Sequence, residues 1–282
     1  MANKIQNIKK QAAQFLIVFV FLQFFLCLFF SANCQNSDNL SLIKSFNISA
    51  KYLQTDELGN IYLVTPTNQL YKYSKDGNLL STLNYSYNGN ISSIDVTNPM
   101  ELYVFYKEMN SVIFLDNNLA FRGELKLNNF QIVQAAAIAR SYDNGLWVFD
   151  LADLQLKKFD KDGNLQQSSG NIRQYISGIT QPTFLFDNTE KVFVNDTSNG
   201  ILLFDVFASF IKTVPIKNKS TIQIKGNEIF YADSNQLKVI DVKFYQKKTI
   251  FSSIELLDAS WFGINNERFY LYKNGNLSIF KY

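Results

Sequence analysis

One stretch constrains the fold more than any other: Asp143-Asn144-Gly145-Leu146-Trp147-Val148-Phe149-Asp150, followed by Leu156-Lys157-Lys158-Phe159-Asp160-Lys161-Asp162-Gly163-Asn164-Leu165. It reads as turn, strand, polar loop, strand and turn, because apolar residues crowd the strands while Asn-Gly and Asp-Gly mark the turns. The same order appears at Asp56-Glu57-Leu58-Gly59-Asn60-Ile61-Tyr62-Leu63-Val64 and Leu70-Tyr71-Lys72-Tyr73-Ser74-Lys75-Asp76-Gly77-Asn78-Leu79. Weaker copies begin their apolar run at Leu102, Val192, Ile229 and Phe269. The six starts, at 61, 102, 146, 192, 229 and 269, are separated by 41, 44, 46, 37 and 40 residues.

A period near forty with several short strands per unit predicts a β-propeller, each blade a four-stranded sheet. The apolar residues do not recur at helical spacing, which excludes a helical repeat. Six copies predict an all-β, six-bladed propeller of about 40 residues per blade. In the first unit, 51–54 is expected innermost, then 61–64, 69–73 and 79–83. The last unit offers only 259–262, 269–272 and 277–282, one strand short. Leu40-Ser41-Leu42-Ile43-Lys44-Ser45-Phe46 has no other home, so it is expected to supply the missing outer strand and close the ring. The 26 Phe and 15 Tyr of the chain suit such strands.

The runs Gly59-Asn60-Ile61-Tyr62-Leu63 and Asn144-Gly145-Leu146-Trp147-Val148, with the Asp-Gly-Asn-Leu turns at 76–79 and 162–165, resemble the NHL and TolB-like six-bladed propellers. The resemblance spans nearly all residues after about 40 and implies the fold. It does not choose a function, because propellers of this group include lactonase-like hydrolases, lyases and binding proteins.

The N-terminus reads differently. Lys4, Lys9 and Lys10 precede an apolar run from Phe15 to Phe30 broken only by Gln23, and small residues follow at Ser31 and Ala32. This is the order of a secretory signal peptide, so export to the periplasm or beyond is expected. The run also approaches the length of a membrane anchor. Cleavage after Cys34 is favoured, giving a signal at 1–34, a polar tether at 35–39 and a single propeller at 40–282. Lipidation of Cys34 is the alternative, although Ser31 and Asn33 stand where a lipobox has other residues. Membrane association is expected only through an uncleaved signal or that lipid. The Asn, Lys, Ile and Phe bias is that of an AT-rich bacterium of Bacteroidetes type. Asn-X-Ser/Thr triplets such as Asn47-Ile48-Ser49 are then products of composition rather than glycan sites.

The chemistry is bounded by absences in the sequence. There is no histidine, which excludes a Ser-His-Asp or Cys-His pair and a His-based zinc site. Cys27 and Cys34 are the only cysteines, and both fall in the expected signal. Net charge is +3, three of the lysines being N-terminal, so nothing suggests a nucleic-acid partner.

Oxygen ligands remain. The fifth position of each copy is Thr65, Tyr106, Asp150, Asp196, Asp233 and Lys273. Asp150, Asp196 and Asp233, with Asp153, Asn199 and Asn235 nearby, could hold Ca²⁺ in the channel, as the lactonase-like resemblance implies. Equally, each Asp could bond its own tight loop, and repetition of the position favours that reading. Asp95, Gln134 and Asp258 are candidate inner-strand residues for such an enzyme. On the same face, Tyr85, Tyr87, Phe130, Arg173 and Tyr175 have the composition of a protein-binding surface. Trp147 and Trp261 are expected in the core, and Lys157-Lys158 and Lys247-Lys248 at solvated strand ends. The favoured expectation is a non-catalytic exported propeller, without a cofactor, that binds a protein or another envelope component through this face. A Ca²⁺-dependent lactonase or esterase is the alternative, and a lectin-like propeller is the third reading.

Overall fold

The computed structural model describes residues 40–83, 89–178, 180–217, 221–265 and 267–281. They form six four-stranded antiparallel sheets. Blade 1 consists of β2 (Tyr52–Thr55), β3 (Ile61–Val64), β4 (Leu70–Tyr73) and β5 (Leu79–Thr82). Blade 2 has β6 (Ser93–Asp95), β7 (Glu101–Tyr106), β8 (Ser111–Asp116) and β9 (Phe121–Lys126). Blade 3 has β10 (Ala135–Arg140), β11 (Leu146–Asp150), β12 (Gln155–Phe159) and β13 (Leu165–Ser168). Blade 4 has β14 (Pro182–Asp187), β15 (Lys191–Asp196), β16 (Gly200–Asp205) and β17 (Phe210–Val214). Blade 5 has β18 (Ile222–Lys225), β19 (Glu228–Asp233), β20 (Gln236–Asp241) and β21 (Lys247–Ser252). Blade 6 joins β22 (Trp261–Ile264), β23 (Arg268–Lys273) and β24 (Asn276–Lys281) to β1 (Ser41–Asn47), its outer strand. The expected closure is therefore present, with Ser41 opposite Lys281 and Asn47 opposite Asn276.

The repeated dipeptide explains why the blades form a ring. Along a strand, neighbouring side chains point to opposite faces. The first residue of each copy packs against the preceding blade: Ile61, Leu102, Leu146, Val192, Ile229 and Phe269 lie in the clusters shared with blades 6, 1, 2, 3, 4 and 5 respectively. The aromatic that follows it packs against the next blade. Tyr62, Tyr103, Trp147, Phe193, Phe230 and Tyr270 lie in the six clusters one step round the ring. Six inter-blade clusters thus make one continuous core, and each copy contributes to two of them.

Turn chemistry is more uniform than the sequence suggests. The hairpin between third and outer strand has a left-handed residue at Gly77 and Gly163, where Asp-Gly stands in the sequence. Leu119, Ala208 and Tyr245 adopt the same left-handed conformation in blades 2, 4 and 5, with φ of 63°, 64° and 58°. The turns of blades 2, 3 and 4 are each organised by an aspartate, Asp116, Asp160 and Asp205, whose Oδ1 accepts two backbone N–H groups of its own turn. A register shift follows between third and outer strand in every blade. One tight turn with a bulge is therefore built five times from different residues, and blade 6 keeps the bulge where two separate segments pair.

Two local expectations are corrected. The inner strand of blade 6 starts at Trp261 rather than Ala259, because a short 3-10 turn at Ile254–Leu256 and a left-handed Asp258 occupy the approach. Lys157-Lys158 is not a solvated strand end. The two residues face opposite sides of β12, and Lys158 is buried opposite Trp147, with Nζ 2.6 Å from Asp143 and over the Tyr142 ring. Lys247 and Lys248 are exposed, and Trp147 and Trp261 are buried. Among the described residues no helix is long and apolar enough to cross a membrane.

Candidate functional site

Antiparallel order sorts the connections onto two faces. Turns between first and second, and third and outer, strands lie on one side, here the turn face. Loops between second and third strands, with the segments joining blades, lie on the other, here the loop face. The inner strands surround a channel with a cavity at each mouth, and Gln54 and Phe184 line both.

The turn-face cavity measures about 610 Å³ and is lined by Asp56, Glu57, Asp187 and Lys225, with Phe184 and Phe186. The two rings are parallel, with centroids 6.5 Å apart. Its buried carboxylates are engaged in holding blades. Asp56 accepts from Asn60 and from the Tyr62 hydroxyl. Asp187 accepts from blade 3 through Ser141 Oγ, Tyr142 N and Trp147 Nε1, the last at 2.8 Å. Burial holds the Lys225 ammonium below its usual pKa, opposed by Glu228.

The loop-face mouth is smaller, about 300 Å³, and different in charge. Lys51, Ser92, Thr183, Thr221 and Ser260 rim it at the starts of five inner strands, and Tyr272 and Trp261 form part of its wall. Among the described residues no carboxylate lines it. Burial lowers the Lys51 pKa, with Glu108 opposing.

The repeated aspartates are placed on the loop face, one per blade, and each is bonded within its own blade. Asp150 accepts from Gln134 N at 3.1 Å, Ala152 N at 3.1 Å and Lys157 Nζ at 3.2 Å. Asp196 accepts from Gln181, Ser198 and Asn199 backbone N–H groups. Asp233 pairs with Lys238, and Asp153 with Lys157. Among the described residues no three acidic, histidine or cysteine side chains group as metal ligands. Asp95, Gln134 and Asp258 do not converge either. Asp95 ends β6 at the turn face, while Gln134 and Asp258 belong to loop-face segments. Ala135, Ala136 and Ala137 are buried, and Ala136 and Ala137 pack in the cluster between blades 3 and 4.

Of the expected surface residues, Tyr175 is exposed on the segment joining blades 3 and 4 and stacks on Phe210, the first residue of β17, with centroids 4.6 Å apart and planes 17° from parallel, so its ring lies on the flank toward the turn end of blade 4 rather than on the expected loop face. The Arg173 side chain is exposed beside it, its backbone N–H capped by Asn171. Phe130 is half-buried against Phe159 and beside the Gly163 turn, so it lies toward the turn face rather than on the expected loop face. Tyr85 and Tyr87 lie outside the described residues. Sequence reasoning missed Lys51, Tyr272 and the hydroxyl rim. The signal available was the polar residue at or before each inner strand, which becomes meaningful only once the six starts are known to converge.

No family model matches the chain, and no curated protein matches it. Solved structures do. The WD40 domain of Neurospora crassa Pan2 aligns with a TM-score of 0.62 at 8% identity, covering 87% of this chain and 96% of that one. Virginiamycin B lyase from Staphylococcus aureus gives 0.61 at 9%, covering 86% and 100%. A streptogramin B lyase gives 0.59 at 11%, covering 87% and 88%. At such identities the likeness is one of fold.

Proposed function

We propose that this is an exported, non-catalytic propeller that binds a protein or another cell-envelope component through its loop face. The observation that carries the reading is where the chain enters the ring. Ser41 pairs with Lys281, and Lys281 ends the third strand of blade 6, so β1 begins at the turn face. The chain therefore joins the ring on the side away from the loop face. The aromatic and arginine pair Tyr175 and Arg173, with Val133 exposed on the preceding joining segment, is the composition of a contact surface. The absence of histidine and the engagement of the loop-face aspartates within their own blades favour binding over catalysis.

The basic and apolar start of the chain supports export. The repeated Asp-Gly-Asn-Leu turns support a place among the NHL and TolB-like propellers. The test is proximity cross-linking in envelope preparations, comparing Tyr175→Ala and Arg173→Ala with the turn-face control Phe207→Ser. The expected result is one cross-linked partner that both joining-segment variants lose and the control retains. Loss in the control alone would move the interface to the opposite face.

A further inference from the structure

Blades 4 and 5 differ from blades 1, 2 and 3 at one place in the outer turn. The residue just before the left-handed one is Asp76, Asn118 and Asp162 in the first three blades, but Phe207 and Phe244 in blades 4 and 5. The blade 4 turn has the same length as those of blades 2 and 3, so its geometry does not call for an aromatic, and the blade 5 turn is one residue longer. Both phenyl rings are 66% exposed on the turn face. Tyr245 is exposed beside Phe244 and holds φ of 58°, where Gly77 and Gly163 serve blades 1 and 3 with no side chain to strain. Large rings left in water, one of them in a costly backbone conformation, point to a task outside the fold.

The two turns are neighbours. Lys212, on the outer strand of blade 4, donates from Nζ to the Val242 carbonyl of the blade 5 turn at 2.9 Å and lies 3.8 Å from the centre of the Tyr245 ring. Lys243 Nζ is 5.5 Å from the centre of the Phe244 ring, and exposed Lys247 and Lys248 open the strand that follows. Asp205 and Asp241 each accept two backbone N–H groups of their own turn. Even with Glu228, which faces Asp241 across the sheet, these lysines outnumber the acids of the edge.

Projecting rings among lysines enclose no small ligand, and a second copy would set lysine against lysine. A bilayer containing anionic lipid suits both features, because aromatic rings favour the level between headgroups and acyl chains while ammonium groups meet the phosphates. The sequence supports that choice. The basic and apolar order of residues 4–30 is that of a chain delivered to a membrane. Leu40 leads into the ring on this same face.

We propose that the outer turns of blades 4 and 5 dock on an anionic lipid bilayer, with Phe207 and Phe244 entering its interface and Lys243, Lys247 and Lys248 facing the lipid phosphates. The proposal stands whether or not a protein binds the loop face.

Tryptophan reporters test it in the full chain: Phe207→Trp and Phe244→Trp at the two tips, and Val133→Trp on the exposed loop-face segment. Trp147 and Trp261 are buried, so the parent protein supplies the blank. The probe is a vesicle of brominated phosphatidylcholine with about one-third phosphatidylglycerol. The expected result is blue-shifted emission and bromine quenching about threefold or more stronger at both tips than at Val133→Trp. Quenching reports the depth of one ring, so it reads this edge separately from any hold that residues 15–30 have on the vesicle. Adding Lys243→Gln and Lys248→Gln to the Phe244→Trp protein should reduce the quenching at an unchanged melting temperature, and so should omitting phosphatidylglycerol. Quenching at the tips no stronger than at Val133→Trp overturns the proposal and leaves the rings to a protein partner. Equal quenching on neutral and anionic vesicles, with the lysines present or replaced, overturns the assignment to anionic lipid.

Discussion

Gly163 and Ala208 occupy the same place in two blades and should respond unequally to exchange. Gly163 has φ of 84°, and a Cβ there would enter the Phe130 ring. Gly163→Ala should therefore cost about 2–3 kcal/mol, from left-handed strain and forced repacking together. Ala208 already has a Cβ at φ of 64° and is fully buried. Ala208→Gly relieves strain but loses a buried methyl and loosens the unfolded chain, so stability should stay within about 1 kcal/mol. Denaturant unfolding of the pair checks this, and an equal large loss in both would contradict the shared-turn geometry. The comparison also shows what was legible at this scale. Asp-Gly announces such a turn at 76–77 and 162–163, whereas Leu119, Ala208 and Tyr245 adopt it because an aspartate and the flanking strands hold it, and no local residue preference reveals that. Lys158 was readable in principle, since two lysines in one strand must face opposite sides and one of them meets Trp147.

Between elements, buried carboxylates join blades. Asp95 ends β6 and accepts the Arg140 N–H of blade 3 at 2.6 Å, along with the Thr97 N–H and hydroxyl. Burial raises its pKa above the usual carboxylate range, although these hydrogen bonds pull it back in part. An acid whose folded pKa is raised binds its proton more tightly in the native state. Its contribution is complete below the unfolded pKa of about 3.9 and is lost as pH rises through the folded value. Asp95→Asn cannot titrate and places an amide donor against backbone N–H groups. The variant should be less stable than the parent, with a deficit that is largest near pH 4 and shrinks as pH rises toward neutrality. Melting temperatures of both proteins across that range test it, and a deficit that grows with pH would refute the assignment. The order of strands at this scale was legible from the repeated dipeptide, because Ile61 and Tyr62 and their five counterparts alternate between the two neighbouring interfaces. The latches were not, because Asp95 and Arg140 are distant in sequence and meet only through the ring.

For the whole molecule, one non-covalent joint decides closure. β1 and β24 pair along their length, and blade 6 is tied to blade 1 by Arg268 to Asp76 at 3.0 Å and Lys44 Nζ to Gly77 O at 2.8 Å. Ser45 and Ser278 are directly opposite, with hydroxyl oxygens 3.0 Å apart. Replacing both, as Ser45→Cys with Ser278→Cys, should let a disulfide close a loop that spans nearly the whole ring. Removing that much freedom from the unfolded chain should stabilise by about 4 kcal/mol, and the gain should vanish on reduction. A melting temperature that is the same in oxidised and reduced forms would mean that the joint is not what limits unfolding. Closure itself was legible in the sequence, because the last unit was one strand short and residues 40–46 were one strand over. The loop-face mouth was not, because its rim comes from strand starts scattered from Lys51 to Ser260.

The register of that joint also sets how the ring meets mechanical load. Because Ser41 faces Lys281, both chain ends leave the seam at the same end of the strand pair. Tension applied through residues flanking β1 and β24 would part the two strands one hydrogen bond at a time, as a zipper opens, instead of loading all of them together in shear. A propeller held by its first residues and pulled by its last would therefore yield at blade 6 under small force. Pulled instead by a partner on the loop face, it would pass the load through β1 alone, along the strand.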